Sequence, residues 1–236
     1  MSDFRYVGLE LDLFASATNW KAYWSERIGP YLSGDVLESG AGIGSNTRLL
    51  CSRANGRWVC LEPDPNLISQ LAENLKGWDM ARSCEIVCCT LATLNDDERF
   101  DTILYIDVLE HIEDDAGELK RASERLRRGG RIVVLSPAHQ WLFTPFDSAI
   151  GHFRRYSKAS LGAASPPGME LEAMFYLDAC GILASAANQL LLRQSMPTAA
   201  QLGVWDKWIV PASRVLDPIL VGSLGKSIIG VWRKPL

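Results

Sequence analysis

Short apolar runs alternate with amphipathic stretches along the first 136 residues of this chain. Asp35–Glu38, Trp58–Glu62, Cys84–Thr90, Phe100–Asp107 and Arg131–Ser136 are apolar almost throughout rather than at every second position. That pattern suits strands covered on both faces. Between them, Asn46–Cys51 reads as a helix opened by an Asn/Thr cap. Pro65–Trp78 reads as a helix with proline early and Leu67, Ile68, Leu71 and Leu75 on one face. Asp115–Leu126 is amphipathic, and Arg127-Arg128-Gly129-Gly130 supplies a basic last turn and a glycine stop. Strand and helix in alternation predict a parallel, doubly wound α/β sheet. Beyond Ser136 the rhythm breaks. Ala164–Gly168 is a Pro/Gly turn and Met169–Leu183 a strand followed by a turn. Gln189–Leu224 mixes Trp, Pro and Leu without a clean period, and Gly225–Lys234 is a final strand. No linker composition sets this tail apart, so a single domain is expected.

Composition narrows the class without changing the fold. The 236 residues are 47 % apolar and 22 % charged, which excludes disordered, collagen-like and coiled-coil chains. A chain of this length buries roughly 70 % of its unfolded surface and needs no disulfide or metal staple. The 24 basic and 28 acidic residues give a net charge of −4, the wrong sign for a general nucleic-acid binder. Met1–Leu9 lacks a basic segment followed by an apolar core, so no secretory leader is read there. No apolar run reaches the roughly 18 residues of a membrane span. The nearest, Ile182–Leu192, is interrupted by Ser185, Asn188 and Gln189. The six cysteines include no C-x-x-C pair and read as reduced thiols of a cytoplasmic protein. Three histidines without finger-like spacing give no zinc site.

The chemistry begins at Glu38-Ser-Gly-Ala-Gly-Ile-Gly44, which follows the first core strand and opens a helix. Glycines there let the backbone turn tightly and bring a ligand close, although a strand–helix turn also uses them for packing alone. Glu62 ends the next strand, 22 positions beyond Gly40, where an acid accepts hydrogen bonds from ribose hydroxyls. The loop has no Lys-Ser/Thr of a phosphate cradle, and Ser45 stands where Gly-x-Gly-x-x-Gly would need its last glycine. A carboxylate at Glu38 repels a pyrophosphate and suits a ligand with a cationic amino group.

On these residues the chain resembles the class I S-adenosylmethionine-dependent methyltransferases. The resemblance rests on Val36–Gly44, Leu61-Glu-Pro-Asp64, Phe100–Asp114 and Leu126–Val134, in the family's order and spacing. Gly151-His-Phe-Arg-Arg-Tyr156 and Asn19-Trp20…Tyr23-Trp24 resemble a bacterial small-molecule subgroup. The resemblance implies a Rossmann-like, mostly parallel seven-stranded sheet with an antiparallel last strand. It divides the chain into an N-terminal helical cap (1–34), a cofactor-binding core (35–136) and substrate-side loops with closing strands (137–236). S-adenosylmethionine is the implied cofactor. Its methionine part falls against Glu38, Gly40, Ala41 and Gly42, its ribose on Glu62 and its adenine on Pro63. Thr90 and Leu91 stand where the family usually offers an acid to the adenine amine. Asp107 and Val108 border the methyl-donor end.

Several residues carry two readings. His111 is either a histidine satisfied by backbone at a helix start or a general base or orienter beside the methyl group. His152, Arg154, Arg155 and Tyr156 either clamp an anionic substrate group or form a lid closed by an Arg–Asp147 pair with a guanidinium on an aromatic ring. Trp20, Tyr23 and Trp24 lie at helical spacing and either pack on the sheet or close over the cofactor and substrate. Trp205, Trp208 and the apolar 209–224 stretch could form a hydrophobic substrate wall or touch a membrane surface, but without a basic amphipathic face they read as core. No Asn/Asp-Pro-Pro-Tyr/Phe segment and no catechol-type metal-carboxylate set occurs. The expectation is therefore a metal-independent methyltransferase acting on a small molecule with an anionic group, oxygen ahead of nitrogen or carbon as acceptor. A homodimer stays open. Two other classes stay open as well: an NAD-type oxidoreductase, and a methyltransferase-like module that binds the cofactor without catalysing.

Overall fold

A computed structural model describes residues 5, 6, 8, 11–78, 84–187 and 198–236. In chain order the helices are α1 (Leu11–Ala15), α2 (Thr18–Ile28), α3 (Thr47–Leu50), α4 (Pro65–Leu75), α5 (Asp115–Glu124), α6 (Pro145–Ala149), α7 (Lys158–Ala163), α8 (Ala179–Ala187), α9 (Ala199–Val204) and α10 (Val210–Ile219). A π-helical turn, Trp205–Ile209, joins the last two. The strands are β1 (Val36–Ser39), β2 (Trp58–Leu61), β3 (Cys84–Val87), β4 (Phe100–Ile106), β5 (Leu126–Pro137), β6 (Glu170–Leu177) and β7 (Ser227–Arg233).

The seven strands form one sheet in the order β3-β2-β1-β4-β5-β7-β6. β1 to β5 run parallel, and β7 is antiparallel to both β5 and β6. This is the expected doubly wound sheet with an antiparallel last strand. Successive residues of the central strands point to opposite faces and bury there. Val36, Cys60, Leu104 and Val133 join one core cluster, whereas Leu37, Val59, Ile103 and Val134 join the other. Because β1 has β2 on one side and β4 on the other, the order in which strands are added reverses between β1 and β4. The crevice of such a fold opens at the carboxyl ends of those two strands. No described helix is long and apolar enough to cross a membrane.

Four expectations shift. The helix predicted to Leu126 stops at Glu124, and Arg127-Arg128-Gly129-Gly130 belongs to β5. The pairing jumps from Phe100↔Leu126 to Thr102↔Arg131, so these residues bulge from the ladder. Arg127 reaches Asp101 at 2.7 Å and Asp35 at 3.0 Å instead of a helix end. The Asn/Thr cap of α3 is absent because its side chains are engaged elsewhere. Asn46 accepts from Lys21 Nζ, and Thr47 donates to Glu38. After β6 the chain turns on a single residue, Asp178, at φ 65°, and continues as helix α8 rather than as a turn. Beyond residue 197 the segment without a clean period is helical. The rest of that segment, 189–197, the last five residues of the run 182–192 and most of Met1–Leu9 lie outside the described residues.

Candidate active site at the carboxyl edge of the sheet

The glycine loop leaves β1 with Gly40, Gly42 and Gly44 at φ 67°, 56° and 81°, a region open to glycine and costly to other residues. Ala41 is buried and donates its N–H to the Leu61 carbonyl at 2.9 Å, tying the loop to β2. Glu62, also buried, bridges the loop and the start of α4. One oxygen accepts from Gly42 N at 2.9 Å, the other from Asp64 N at 3.0 Å. A carboxylate has about four lone-pair sites, so each oxygen keeps one for a further donor such as a ribose hydroxyl. Glu38 lies deeper. One of its oxygens accepts from Thr47 Oγ1 at 2.7 Å and Trp58 Nε1 at 2.8 Å. Burial pushes its carboxyl up to about 7, against these two hydrogen bonds and the charge of Lys21. Burial in turn lowers Lys21 to about 8, while its Nζ donates to Ser45 Oγ at 2.7 Å and Asn46 Oδ1 at 3.0 Å.

Asp107 follows β4 at φ 54° and is exposed to the crevice. Desolvation by the crevice walls pushes its carboxyl up to about 6, against the charges of His152, Lys21 and Lys226. Val108 packs against Gly40, and a Cβ on that glycine would come within 2.7 Å of it. Pro63 is half-buried, Leu91 is buried, and exposed Thr90 caps its own 3-10 turn through Thr93. The N-terminal segment crosses above. Leu11 lies nearest to Gly42, Tyr6 N donates to Asp64 at 2.8 Å, and the Tyr6 ring meets His111 edge-on.

Behind Asp107 stand Glu110, His111 and His152. Glu110 is fully buried on the 3-10 turn Leu109–His111. Its Oε2 accepts from Ser136 Oγ at 2.9 Å, and its Oε1 has no hydrogen-bond partner. Burial pushes Glu110 up to about 8 and His111 down to about 4, with His152 opposing protonation of His111. The His111 and His152 rings meet edge-on at 4.5 Å.

The segment after β5 folds over these groups as a lid. Asp147, on α6, accepts from His152 Nδ1 at 3.0 Å and from both sides of the Arg155 guanidinium at 2.8 and 2.9 Å. These cations and the Thr144 cap outweigh burial and hold the Asp147 carboxyl below its ordinary range. Arg154 bonds Asp115 and the Glu113 carbonyl and lies over Phe153. Tyr156 is buried, and its hydroxyl donates to Asp115 at 2.7 Å. Of the two lid readings, the internal Arg–Asp147 pair is present through Arg155, but the guanidinium on an aromatic ring belongs to Arg154 rather than to the paired arginine. Trp20 and Tyr23 sit in the core under the C-terminal helices. Trp20 packs on Trp205, and the Tyr23 hydroxyl donates to Asp217 at 2.8 Å. Trp205 is core as expected, but Trp208, on the same π-helical turn, is 66 % exposed, and Val215, Ile219, Val221 and Leu224 of the 209–224 stretch are exposed as well. A separate cavity of about 360 Å³, lined by Ser33, Gly34, Asn55, Asp101 and Arg128, lies at the amino ends of the strands, the opposite edge.

Sequence reasoning brought Glu38, Gly40, Gly42, Glu62, Asp107, Val108 and His111 to one crevice. It missed Lys21, which reaches the glycine loop from α2, and Glu110, which sits on the turn after β4. No local signal marks Lys21. The unpartnered Oε1 of Glu110 is visible only once Ser136 and His152 are in place.

Comparison with known proteins agrees with this geometry. The methyltransferase domain family matches residues 37–132. A ubiquinone biosynthesis O-methyltransferase of Bradyrhizobium sp. (strain ORS 278) is 30 % identical over 109 residues, covering 45 % of this chain and 41 % of the relative. The match thus spans less than half of that protein. Among solved structures, a coclaurine N-methyltransferase bound to N-methylheliamine and S-adenosylhomocysteine superposes with a TM-score of 0.63 at 15 % identity, over 92 % of this chain and 72 % of the other. The N-methyltransferase NodS of Bradyrhizobium japonicum WM9, in complex with S-adenosylhomocysteine, gives 0.60 at 13 % identity over 96 % and 91 %. At these identities the likeness is one of fold.

Proposed function

We infer that this chain, whose residues 37–132 match the methyltransferase domain family, binds S-adenosylmethionine in the β1–β4 crevice and methylates a small-molecule acceptor. The observation that carries this reading is the pair of buried carboxylates on either side of the glycine loop. Glu38 is raised by burial and stands near a single lysine, so it has need of a cation. Glu62 has each oxygen half-used by a backbone amide. An ammonium and two ribose hydroxyls satisfy both, and a pyrophosphate beside Glu38 is repelled. The dehydrogenase reading fails on that charge.

S-adenosylmethionine supplies a methyl group on a sulfonium, already activated for in-line displacement. The protein orients the partners and sets the charge around them. Glu38 with the loop Gly40–Gly42 holds the amino-acid end, and Glu62 the ribose. Pro63 lies under the adenine, with Thr90 and Leu91 at its edge. Asp107 and Val108 border the methyl end. His111, kept neutral by burial, takes or orients the proton of the acceptor. We assign oxygen as the acceptor atom, in line with the activity named for the curated relative. Arg154 and Arg155 close the lid through internal pairs. The cation we assign to an anionic acceptor group is Lys226, which lies over Trp205 and 3.9 Å from Asp178 and whose charge reaches Asp107 from the β7 side.

Isothermal titration with S-adenosylmethionine, S-adenosylhomocysteine and NAD, beside a Glu62→Ala variant, tests the reading. Both adenosyl ligands bind at micromolar levels, roughly −8 kcal/mol, and Glu62→Ala loses at least about tenfold, one hydrogen bond to a charged group. Binding of NAD in their place would sink it.

A further inference from the structure

Glu110, His111 and His152 converge from two segments 41 residues apart in the chain. One ligand atom from each lies within 4.8 Å of the others. The backbone of Ile150 and Gly151 holds the His111 ring, but the rest of the trio has no such account. Glu110 Oε1 is fully buried without a hydrogen-bond partner, and its direction is fixed because Ser136 holds the other oxygen. A buried carboxylate oxygen left bare is costly, so a missing partner belongs there. His152 is engaged with Asp147 through Nδ1, which leaves Nε2 turned to that same oxygen, 3.9 Å away. A carboxylate on the far ring nitrogen is the way metal-ligating histidines are oriented, and its own fixation completes the arrangement. Here Thr144 and Arg155 fix Asp147.

We propose that Glu110, His111 and His152 form a site for a divalent transition-metal ion of the zinc class, with one coordination position left open. Two imidazoles and a carboxylate are a three-ligand set of the kind that keeps such a position for water or substrate. Imidazoles select against magnesium and calcium, which prefer oxygen ligands throughout. This reverses the metal-free expectation of the sequence, in which an acid and two histidines without finger spacing carried no signal. Resting on the methyl-transfer reading, the open position takes the acceptor's oxygen and eases loss of its proton to solvent. His111 is then the orienter rather than the base.

The full-length protein is stripped with a chelator and titrated calorimetrically with Zn²⁺ and, separately, Mg²⁺. S-adenosylhomocysteine is titrated into every sample as a control for folding and for the cofactor site. The expected result is one Zn²⁺ per chain and far weaker Mg²⁺ binding. Glu110→Gln and His152→Asn weaken Zn²⁺ at least about tenfold and keep their affinity for S-adenosylhomocysteine. A Cys51→Ser/Cys84→Ser variant binds Zn²⁺ as before. Should a histidine variant not fold, the Co²⁺-loaded unmodified protein decides. Ligand-field bands without thiolate charge transfer mark nitrogen and oxygen ligands. No binding of Zn²⁺, loss of binding in the cysteine variant, or thiolate charge transfer would overturn the site. Zn²⁺ binding without S-adenosylhomocysteine binding leaves the metal site and removes its role toward the acceptor. The converse leaves methyl transfer and removes the metal.

Discussion

Gly40 carries the crevice on a missing Cβ. Its φ of 67° is a left-handed value, and an added Cβ would press on Val108 at 2.7 Å. Val108 lies one residue beyond Asp107, so it cannot retreat without moving the end of β4. Gly40→Ala is therefore expected to lose about 1–2 kcal/mol of stability from the left-handed backbone alone. It should weaken S-adenosylhomocysteine at least about tenfold, because the loop amides shift. Denaturant unfolding and calorimetric titration check the two parts. An unchanged affinity would mean that the loop is only a packing turn, the bland reading its glycines also allowed. At this scale the sequence was informative where spacing along the chain sets the chemistry, as for Glu38 with Gly40 and Glu62. It was silent where partners meet through the fold. Lys21 meets Ser45 and Asn46, and Glu110 meets Ser136 and His152, across separate elements.

Elements show the same division. β1, β2 and β4 were legible because strands covered on both faces are apolar without alternation. The stretch Arg127–Gly130 was misread because a basic pair and two glycines look alike at a helix end and at a strand bulge. The distinction lies in Asp35 and Asp101, which sit far away in sequence. The C-terminal helices were hidden for a related reason. α9 carries its own cap, Thr198 with Gln201, but the buried faces of these helices answer to α2. Ala17 stands at the N-cap of α2 and offers no side-chain acceptor. Asp206 supplies it instead, from the π-helical turn. Its carboxylate accepts from Asn19 N at 3.1 Å and Trp20 N at 2.8 Å. Asp206→Ala removes a helix cap delivered across 186 residues. The expected cost is about 1–2 kcal/mol in chemical unfolding, the range of an N-cap. Hydrogen exchange in α2 should rise more than in the central strands. Equal protection of α2 in the variant would show that aromatic packing of Trp20 and Trp24 holds the helix by itself.

For the whole molecule, the site's carboxylates couple stability, ligand and pH. Glu38 is raised by burial from 4.5 to about 7 in the folded protein. A raised carboxyl favours folding fully below its unfolded value, and that contribution is lost as pH rises through about 7. The unliganded fold should therefore soften between pH 5 and pH 7.5. Lys21 faces the same carboxylate and, at about 8, loses its charge only above this range. The ligand's ammonium runs the other way. It needs Glu38 ionised, so affinity rises with pH and levels off above about 7. For a group titrating there, binding at pH 6 is roughly eightfold weaker than at pH 7.5, or about 1.2 kcal/mol. At a hundredfold excess over Kd the ligand adds about 2.7 kcal/mol to folding. For a chain of this size that is a melting shift of about 5–10 °C, smaller by roughly 2–5 °C at pH 6. Glu38→Gln keeps an acceptor for Thr47 and Trp58 while removing the charge. It should flatten both pH dependences, raise the unliganded melting temperature at pH 7.5 and cut the ligand shift. A thermal-shift series with S-adenosylhomocysteine at the two pH values measures all of this. A shift equal at both pH values, and equal in Glu38→Gln, would place the ammonium away from Glu38 and leave Glu62 as the anchor of the cofactor.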